Sequence, residues 1–292
     1  MSLETNKVHL MSNIDGMKQM DAESVDLVVT SPPYDQLRSY NDSSAWNFET
    51  FKQVADELIR VLKPGGTICW NVADAVVQYH DKKQGTSKSG TSFRQCLYFQ
   101  ENGLNFHDNL IYAKHGPRFA SSHKSTRYSN VYEYVFVMTK GTPKNVTLIA
   151  DRPNKTAGQS GVSGGGRSVD GKIIKTKKNE DGTSKKRKDP VPQFGIRFNI
   201  WTISNVFGTT GQSDRRAYEH PALMPNGLAN DCIRSYSNEG DLVLDPFMGS
   251  GTTARQAFNL DRDYIGFEID ETYHKLCEDI NSDHMNTGRL PF

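Results

Sequence analysis

The stretch 25–34, VDLVVTSPPY, is a short apolar run that ends on Thr30 and breaks into a Ser-Pro-Pro turn. So short a run, with so little alternation, fits a strand buried on both faces of a parallel sheet, its carboxyl end pointing at Ser31. Downstream, Phe51, Val54, Ala55, Leu58, Ile59 and Leu62 recur at helical spacing and predict a helix over about 48–62. Lys63-Pro64-Gly65-Gly66 stops that helix, and residues 67–72 read as the next strand. Strand, helix, strand in this order is the rhythm of a mostly parallel, doubly wound α/β sheet with crossover helices.

The same rhythm continues outward. A helix is predicted at 92–101, stopped by Asn102-Gly103, followed by strands near 108–113 and 131–139. Between Lys140 and Gln193 the apolar periodicity fails among lysines and glycines, including Gly164-Gly165-Gly166, so this segment reads as an inserted, loop-rich and partly mobile lobe. Order returns at Phe198-Asn199-Ile200-Trp201. A helix is then predicted over about 221–236, a strand over 241–244, a helix after Thr252, a strand over 264–269 and a last helix after Asp270. The division expected is 1–140, an inserted lobe at 141–198, and 199–292.

At 292 residues, with hydrophobic and charged fractions of 36% and 24%, the chain has the composition of a soluble globular protein large enough for one domain plus an insert. No apolar run approaches the roughly 18 residues needed to span a bilayer, and the start, MSLETNKVHL, lacks the basic-then-apolar pattern of a signal peptide. The expected location is therefore the cytoplasm, with no membrane partner. Cys69, Cys96, Cys232 and Cys277 form no C-x-x-C pair, which argues against a disulfide framework and against a metal site. The net charge of +1 conceals an asymmetry: residues 152–197 carry twelve Lys/Arg against four Asp/Glu, and the rest of the chain is net acidic. Within the basic stretch, Lys185, Lys186, Arg187 and Lys188 are candidates for meeting phosphates, with a solvated linker as the alternative.

A second turn carries the chemistry of a bound nucleoside. The predicted strand ends at Asp245, and Pro246, Phe247, Met248, Gly249, Ser250, Gly251 and Thr252 lead directly into a helix. Glycines at such a turn let backbone approach a ligand. Glu268 falls at the end of the next strand, 23 residues after Asp245, close to the roughly 20-residue interval at which an acid meets a ribose diol. Neither a P-loop lysine nor a third dinucleotide glycine is present. A nucleoside with no pyrophosphate but with a cationic amino-acid tail suits these residues, and S-adenosylmethionine is such a ligand. At the first turn, Pro32 and Pro33 remove two N–H donors and leave carbonyl oxygens free to accept. Acceptors at Ser31 and at the Pro32 carbonyl would hold an amino group through its hydrogens and expose its lone pair to a methyl donor.

Taken together, TSPPY at 30–34, LKPGG at 62–66, NIWTI at 199–203, HPALMPNGLA at 220–229 and DPFMGSGTT at 245–253 resemble the DNA amino-methyltransferases, in the permuted (beta) group where the catalytic turn comes first and the cofactor turn last. The resemblance covers nearly the whole chain outside the basic insert. It implies a Rossmann-like, S-adenosylmethionine-dependent methyltransferase fold in which the insert is the target-recognition lobe. Tyr34 would stack on a target base swung out of the duplex, His220, Pro221 and Leu223 would help close the cofactor pocket, and Phe247 would pack on the adenine ring. Many relatives carry a Gly-Asp pair after the first strand where this chain has Met11-Ser12, so Ser12 would offer the adenine a hydrogen bond without a charge. Arg38 and Tyr40, just beyond the catalytic turn, are placed to brace the gap left by a flipped base. No cysteine follows a proline, which sets aside the Pro-Cys chemistry of cytosine carbon-5 methylation.

The resemblance further implies double-stranded DNA as partner, a homodimer, and a prokaryotic or phage-encoded, nucleoid-associated enzyme of the restriction-modification type, its endonuclease partner undetermined. Ser31 in place of Asp is similar to cytosine-N4 enzymes. The longer stretch TSPPYDQLRSYND is similar to stand-alone, prophage-type members, among which adenine-N6 modification is common, and the balance falls narrowly on adenine. The rival readings are methylation of RNA or of a protein glutamine, and a DNA-binding protein with an inactive methyltransferase fold.

Overall fold

The computed structural model describes residues 3–34, 46–78, 86–114, 126–161, 164–186, 189–203 and 215–287. Two compact units emerge, one formed by Met1–Thr147 with Asn199–Phe292 and the other by Leu148–Phe198.

The first unit is built in chain order from β1 (Lys7–Leu10), α1 (Asn13–Lys18), β2 (Val25–Thr30), α2 (Phe48–Val61), β3 (Leu62–Val72), the short pair β4 (Val76–Gln78) and β5 (Thr86–Lys88), α3 (Thr91–Glu101), β6 (Asn105–Lys114) and β7 (Tyr132–Thr139). After the second unit it resumes with β12 (Ile200–Ile203), α4 (Asn226–Tyr236), β13 (Leu242–Asp245), α5 (Thr252–Asn259), β14 (Asp263–Glu268) and α6 (Glu271–Asn286). Eight strands form one sheet in the order β1-β14-β13-β2-β3-β7-β6-β12. Only β7 runs against its neighbours in this sheet; the other pairings are parallel.

Alternation along the strands feeds two cores. Ile68, Trp70 and Phe136 pack with Phe51, Val54 and Leu58 of α2, Phe99 of α3 and Met17 of α1. Their strand neighbours Cys69, Val135 and Val137 pack with Leu228, Cys232 and Ile233 of α4, Ala254 and Ala257 of α5, and Cys277 of α6. Helices thus cover both faces, which is why the central strands read as nearly continuous apolar runs. All four cysteines are free and buried. Burial pushes the Cys96 thiol up to about 11 and that of Cys277 to about 12, so neither is a ready nucleophile.

Three boundaries differ from the sequence reading. The helix expected from Pro221 starts at Asn226, because Pro221 and Pro225 each lack an N–H, and the chain between them stays out of the helix. The stretch 63–66 does more than end α2: it already belongs to β3, with a register shift against β2 between Val25 and Leu27. The insert begins at Leu148 rather than 141, since Lys144 donates its backbone N–H to the Gly65 carbonyl and Asn145 donates to Asp241.

The second unit holds β8 (Arg152–Pro153) paired with β11 (Phe194–Gly195), and β9 (Gly164–Arg167) paired with β10 (Ile173–Thr176), both antiparallel. Its small scaffold rests on an Arg197–Asp151 ion pair and on the Arg152 guanidinium, 4.6 Å from the centre of the Phe198 ring. Lys185 and Lys186 are exposed on this unit, while Arg187 and Lys188 lie outside the described residues. Among the described residues of the whole chain, no helix is long and apolar enough to cross a membrane.

Candidate active site

β2 and β13 are adjacent and parallel, and the sheet order reverses between them: from β2 the chain winds toward β3, from β13 toward β14. A reversal of this kind opens a crevice at the carboxyl ends of the two strands. The turn after β2 and the turn after β13 therefore become two lips of one cleft, of about 710 Å³. It is lined by Ser12, Ser31, Pro32, Pro33, Tyr34, His220, Pro221, Leu223, Asp245, Pro246, Phe247, Gly249, Ser250, Thr252 and Glu268. Of the sequence-selected residues around the two turns, Gly251 alone is absent from that lining, while Arg38 and Tyr40 lie outside the described residues.

Asp245 stitches the lips together. Its Oδ1 accepts from the Thr30 hydroxyl (2.6 Å) and from the Phe247 N–H (3.0 Å), and its Oδ2 accepts from the Thr253 hydroxyl (2.7 Å). Burial pushes its pKa up, opposed by the bonds from Thr30, Thr253 and Phe247. Glu268 is gripped differently, by backbone alone. Gly249 N–H donates to its Oε2 (3.0 Å), and the N–H groups of Ile269 and Asp270 donate to its Oε1 (3.0 and 2.9 Å). Burial raises this carboxyl too, against the backbone bonds. A carboxylate oxygen has two lone pairs, so Oε2 retains capacity for a ligand hydroxyl, the chemistry a ribose would bring.

The glycines of this lip have distinct surroundings. Gly249, at φ +53°, lies under the His220 ring, where an added Cβ would be 3.0 Å from the imidazole. His220 is in turn edge-on to Tyr273, with ring centres 4.5 Å apart. Gly251, at φ +85°, faces α6: a Cβ there would fall 2.5 Å from Asn281 Oδ1 and 2.7 Å from Cys277 Sγ. The Phe247 ring is held edge-on by Trp46 at 5.1 Å between centres and by Trp70 at 6.4 Å, giving the cleft a firm aromatic wall.

On the other lip, Ser31 Oγ lies 3.1 Å from the Tyr34 hydroxyl, and that hydroxyl donates to Glu133 Oε2 at 2.8 Å. Glu133 is also paired with Lys114 (2.7 Å). Asn71, Tyr112, Lys114, Glu133 and Trp46 line the cleft without having been singled out from the sequence. Because β7 is reversed, its first residues reach the edge where β3 and β6 end, and this delivers Glu133 opposite Tyr112. No local motif marks Glu133. Its only sequence signal is a charge inside an otherwise apolar strand, YEYVFVMT. Among the described residues, no group of three or more His, Cys, Asp or Glu side chains is placed to hold a metal ion.

The doubly wound sheet and its two-lipped cleft define a Rossmann-like methyltransferase fold. Solved structures share it, among them PvuII DNA methyltransferase, described as cytosine-N4-specific (TM-score 0.63, 16% identity, 98% of this chain and 93% of that one), and M1.HpyAVI in complex with S-adenosylmethionine (TM-score 0.58, 18% identity, 96% and 98%). The DNA methylase family N6_N4_Mtase matches residues 25–279, and the chain belongs to that family. Similar relatives include the orphan methyltransferase M.BamHII of Bacillus amyloliquefaciens, 45% identical over 88% of each chain, and the DNA adenine methyltransferase YhdJ of Escherichia coli K12, 28% identical over 89% of this chain and 77% of that one.

Proposed function

We propose that this protein transfers a methyl group from S-adenosylmethionine to the exocyclic amino nitrogen of a base flipped out of duplex DNA, acting in the bacterial or phage-infected cytoplasm. The observation that carries the reading is the convergence of the two turns on one cleft, tied by Asp245 to Thr30 and Thr253. S-adenosylmethionine supplies an electrophilic methyl group when bound. Glu268 takes a ribose hydroxyl on Oε2, Phe247 and Ser12 meet the adenine, and the backbone at Gly249 and Ser250 meets the amino-acid tail, with His220, Pro221 and Leu223 closing over it. Ser31 and the Pro32 carbonyl accept hydrogens of the target amino group, drawing its nitrogen toward tetrahedral geometry and freeing the lone pair. Tyr34 offers its ring to the extruded base.

The Leu148–Phe198 unit is the target-recognition lobe in this reading, its lysines meeting phosphates. Arg38 and Tyr40 brace the duplex. Association into a homodimer belongs to the same proposal and is checked by sedimentation. Adenine N6 is the target placed first, on the similarity of the 30–42 stretch to adenine-modifying members. Ser31 favours cytosine N4 as the second reading. Incubation with tritiated donor and duplex DNA, RNA or peptide, followed by nucleoside mass spectrometry of the DNA, tests both levels. N6-methyladenine is expected. N4-methylcytosine alone would reverse the choice of base, and label in RNA or peptide only would end the reading.

A further inference from the structure

We infer that Glu133 sets the hydrogen-bond direction of the catalytic lip and is the final acceptor of the proton that the methylated nitrogen sheds. The inference rests on the function proposed above and concerns residues beyond its turns.

The argument begins with donor counting. Lys114 is a pure donor and holds Glu133 Oε1 at 2.7 Å. Glu133, its side chain 12% exposed, is acceptor-only as a carboxylate, and its Oε2 takes the one proton of the Tyr34 hydroxyl at 2.8 Å. The Tyr34 oxygen, having given its proton to Glu133, can only accept from Ser31, 3.1 Å away. Ser31 therefore donates toward Tyr34, and its lone pairs are left for the cleft. Amino-group methylation needs an acceptor at that position. A serine hydroxyl alone rotates freely and offers donor or acceptor with equal ease, so the polarity comes from the far end of the chain, at Glu133.

The same order of bonds gives the proton a path. As the amino nitrogen forms its bond to carbon, the carbon–sulfur bond of the donor breaks and its electron pair stays on sulfur, which becomes neutral. The nitrogen takes up the positive charge and releases one of its protons to Ser31 Oγ. Ser31 passes its own hydroxyl proton to the Tyr34 oxygen, Tyr34 passes its proton to Glu133 Oε2, and the carboxylate ends as the acid. The transfers from Ser31 to Tyr34 and from Tyr34 to Glu133 run along contacts already present, and Lys114 holds the Glu133 side chain aimed until then. Glu133 and Lys114 are positioning residues, acting through Tyr34 and Ser31.

Glu133→Gln tests this sharply. Lys114 can be satisfied only by the amide carbonyl, so the amide nitrogen turns to Tyr34 as a donor and the chain reverses. Tritiated methyl transfer to genomic DNA from a methylation-deficient bacterium, with enzyme in excess, should slow by about 100-fold, with donor affinity by calorimetry unchanged within about twofold. In a Tyr34→Phe background, which has already lost the link, Glu133→Gln should add less than about threefold. A merely structural role would give the same loss in both backgrounds. The near-ultraviolet tyrosine difference spectrum of Glu133→Gln, which needs no turnover, should show loss of a carboxylate-bonded tyrosine that is absent in the Tyr34→Phe background. Full activity of Glu133→Gln beside an active wild type, or equal losses in both backgrounds, overturns the inference and leaves the function standing. A wild type that transfers no methyl to DNA overturns the function, and the proton assignment with it.

Discussion

At the Asp245 lip every acid is satisfied close to home: Glu268 by the amides of Gly249, Ile269 and Asp270, Asp245 by Phe247 and Thr253, with Thr30 as its one distant partner. The Ser31 lip is built the other way. Its hydroxyls lead from Ser31 through Tyr34 to Glu133, 99 residues beyond Tyr34, and on to Lys114. A turn that binds a ligand through its own backbone can be written as a compact motif. A turn that must control where protons point needs ionised side chains, and these come from whichever strands the fold brings alongside.

The largest effect should come from the one residue that joins the two lips. Asp245→Ala leaves the Thr30 hydroxyl and the Phe247 N–H without this acceptor and the Thr253 hydroxyl with only the longer bond to the Val29 carbonyl at 3.3 Å, in a largely buried place. Unfolding free energy should fall by about 3–5 kcal/mol in urea melts, and donor affinity by at least about tenfold in calorimetry. Asp245→Asn should lose less, because the amide keeps the shape and removes a charge that burial disfavours. A stable Asp245→Ala protein with undiminished affinity would show that the lips are held by something other than this carboxylate.

Tyr34→Ala should separate the lips. In the proposed reading the ring serves the target base, and the hydroxyl bonds to Glu133, while the residues of the other lip are untouched. Turnover should drop about 100-fold or more, in line with the loss of a positioned contact at the reacting group, with donor affinity preserved within about threefold. Equal losses in turnover and in donor affinity would mean that Tyr34 belongs to the cofactor end.

The asymmetry also explains what the amino-acid sequence could say in advance. Val25–Thr30 and the turns after Thr30 and Asp245 are readable because apolar runs, prolines and glycines act locally, whereas the side-by-side placing of β2 and β13 is a matter of sheet pairing across more than 200 residues. The start of α4 was misplaced because 220–225 shares the apolar composition of the helix it precedes, and only its two prolines tell otherwise. Glu133, marked only as a charge within an apolar strand, escapes a sequence reading for a different reason. Its importance depends on β7 running antiparallel, and strand direction is a property of pairing, which leaves no mark on the eight residues of YEYVFVMT.

The smallest expected effect divides the Asp245 lip within itself. Gly249 and Gly251 look equivalent in the motif, yet Gly249 faces the cleft beneath His220 and Gly251 faces α6. Gly251→Ala forces a side chain into a left-handed backbone and against Asn281 and Cys277, and Asn281 cannot withdraw freely because Arg255 donates to its Oδ1 at 2.9 Å. Stability should fall by about 1–3 kcal/mol, while the donor affinity of the folded protein stays within about threefold. Gly249→Ala displaces the His220 ring that roofs the turn, so its cost should appear in donor affinity more than in the urea midpoint. If the two variants behave alike in both measurements, the two glycines serve the turn as one unit, and the division between a ligand-facing and a helix-facing glycine fails.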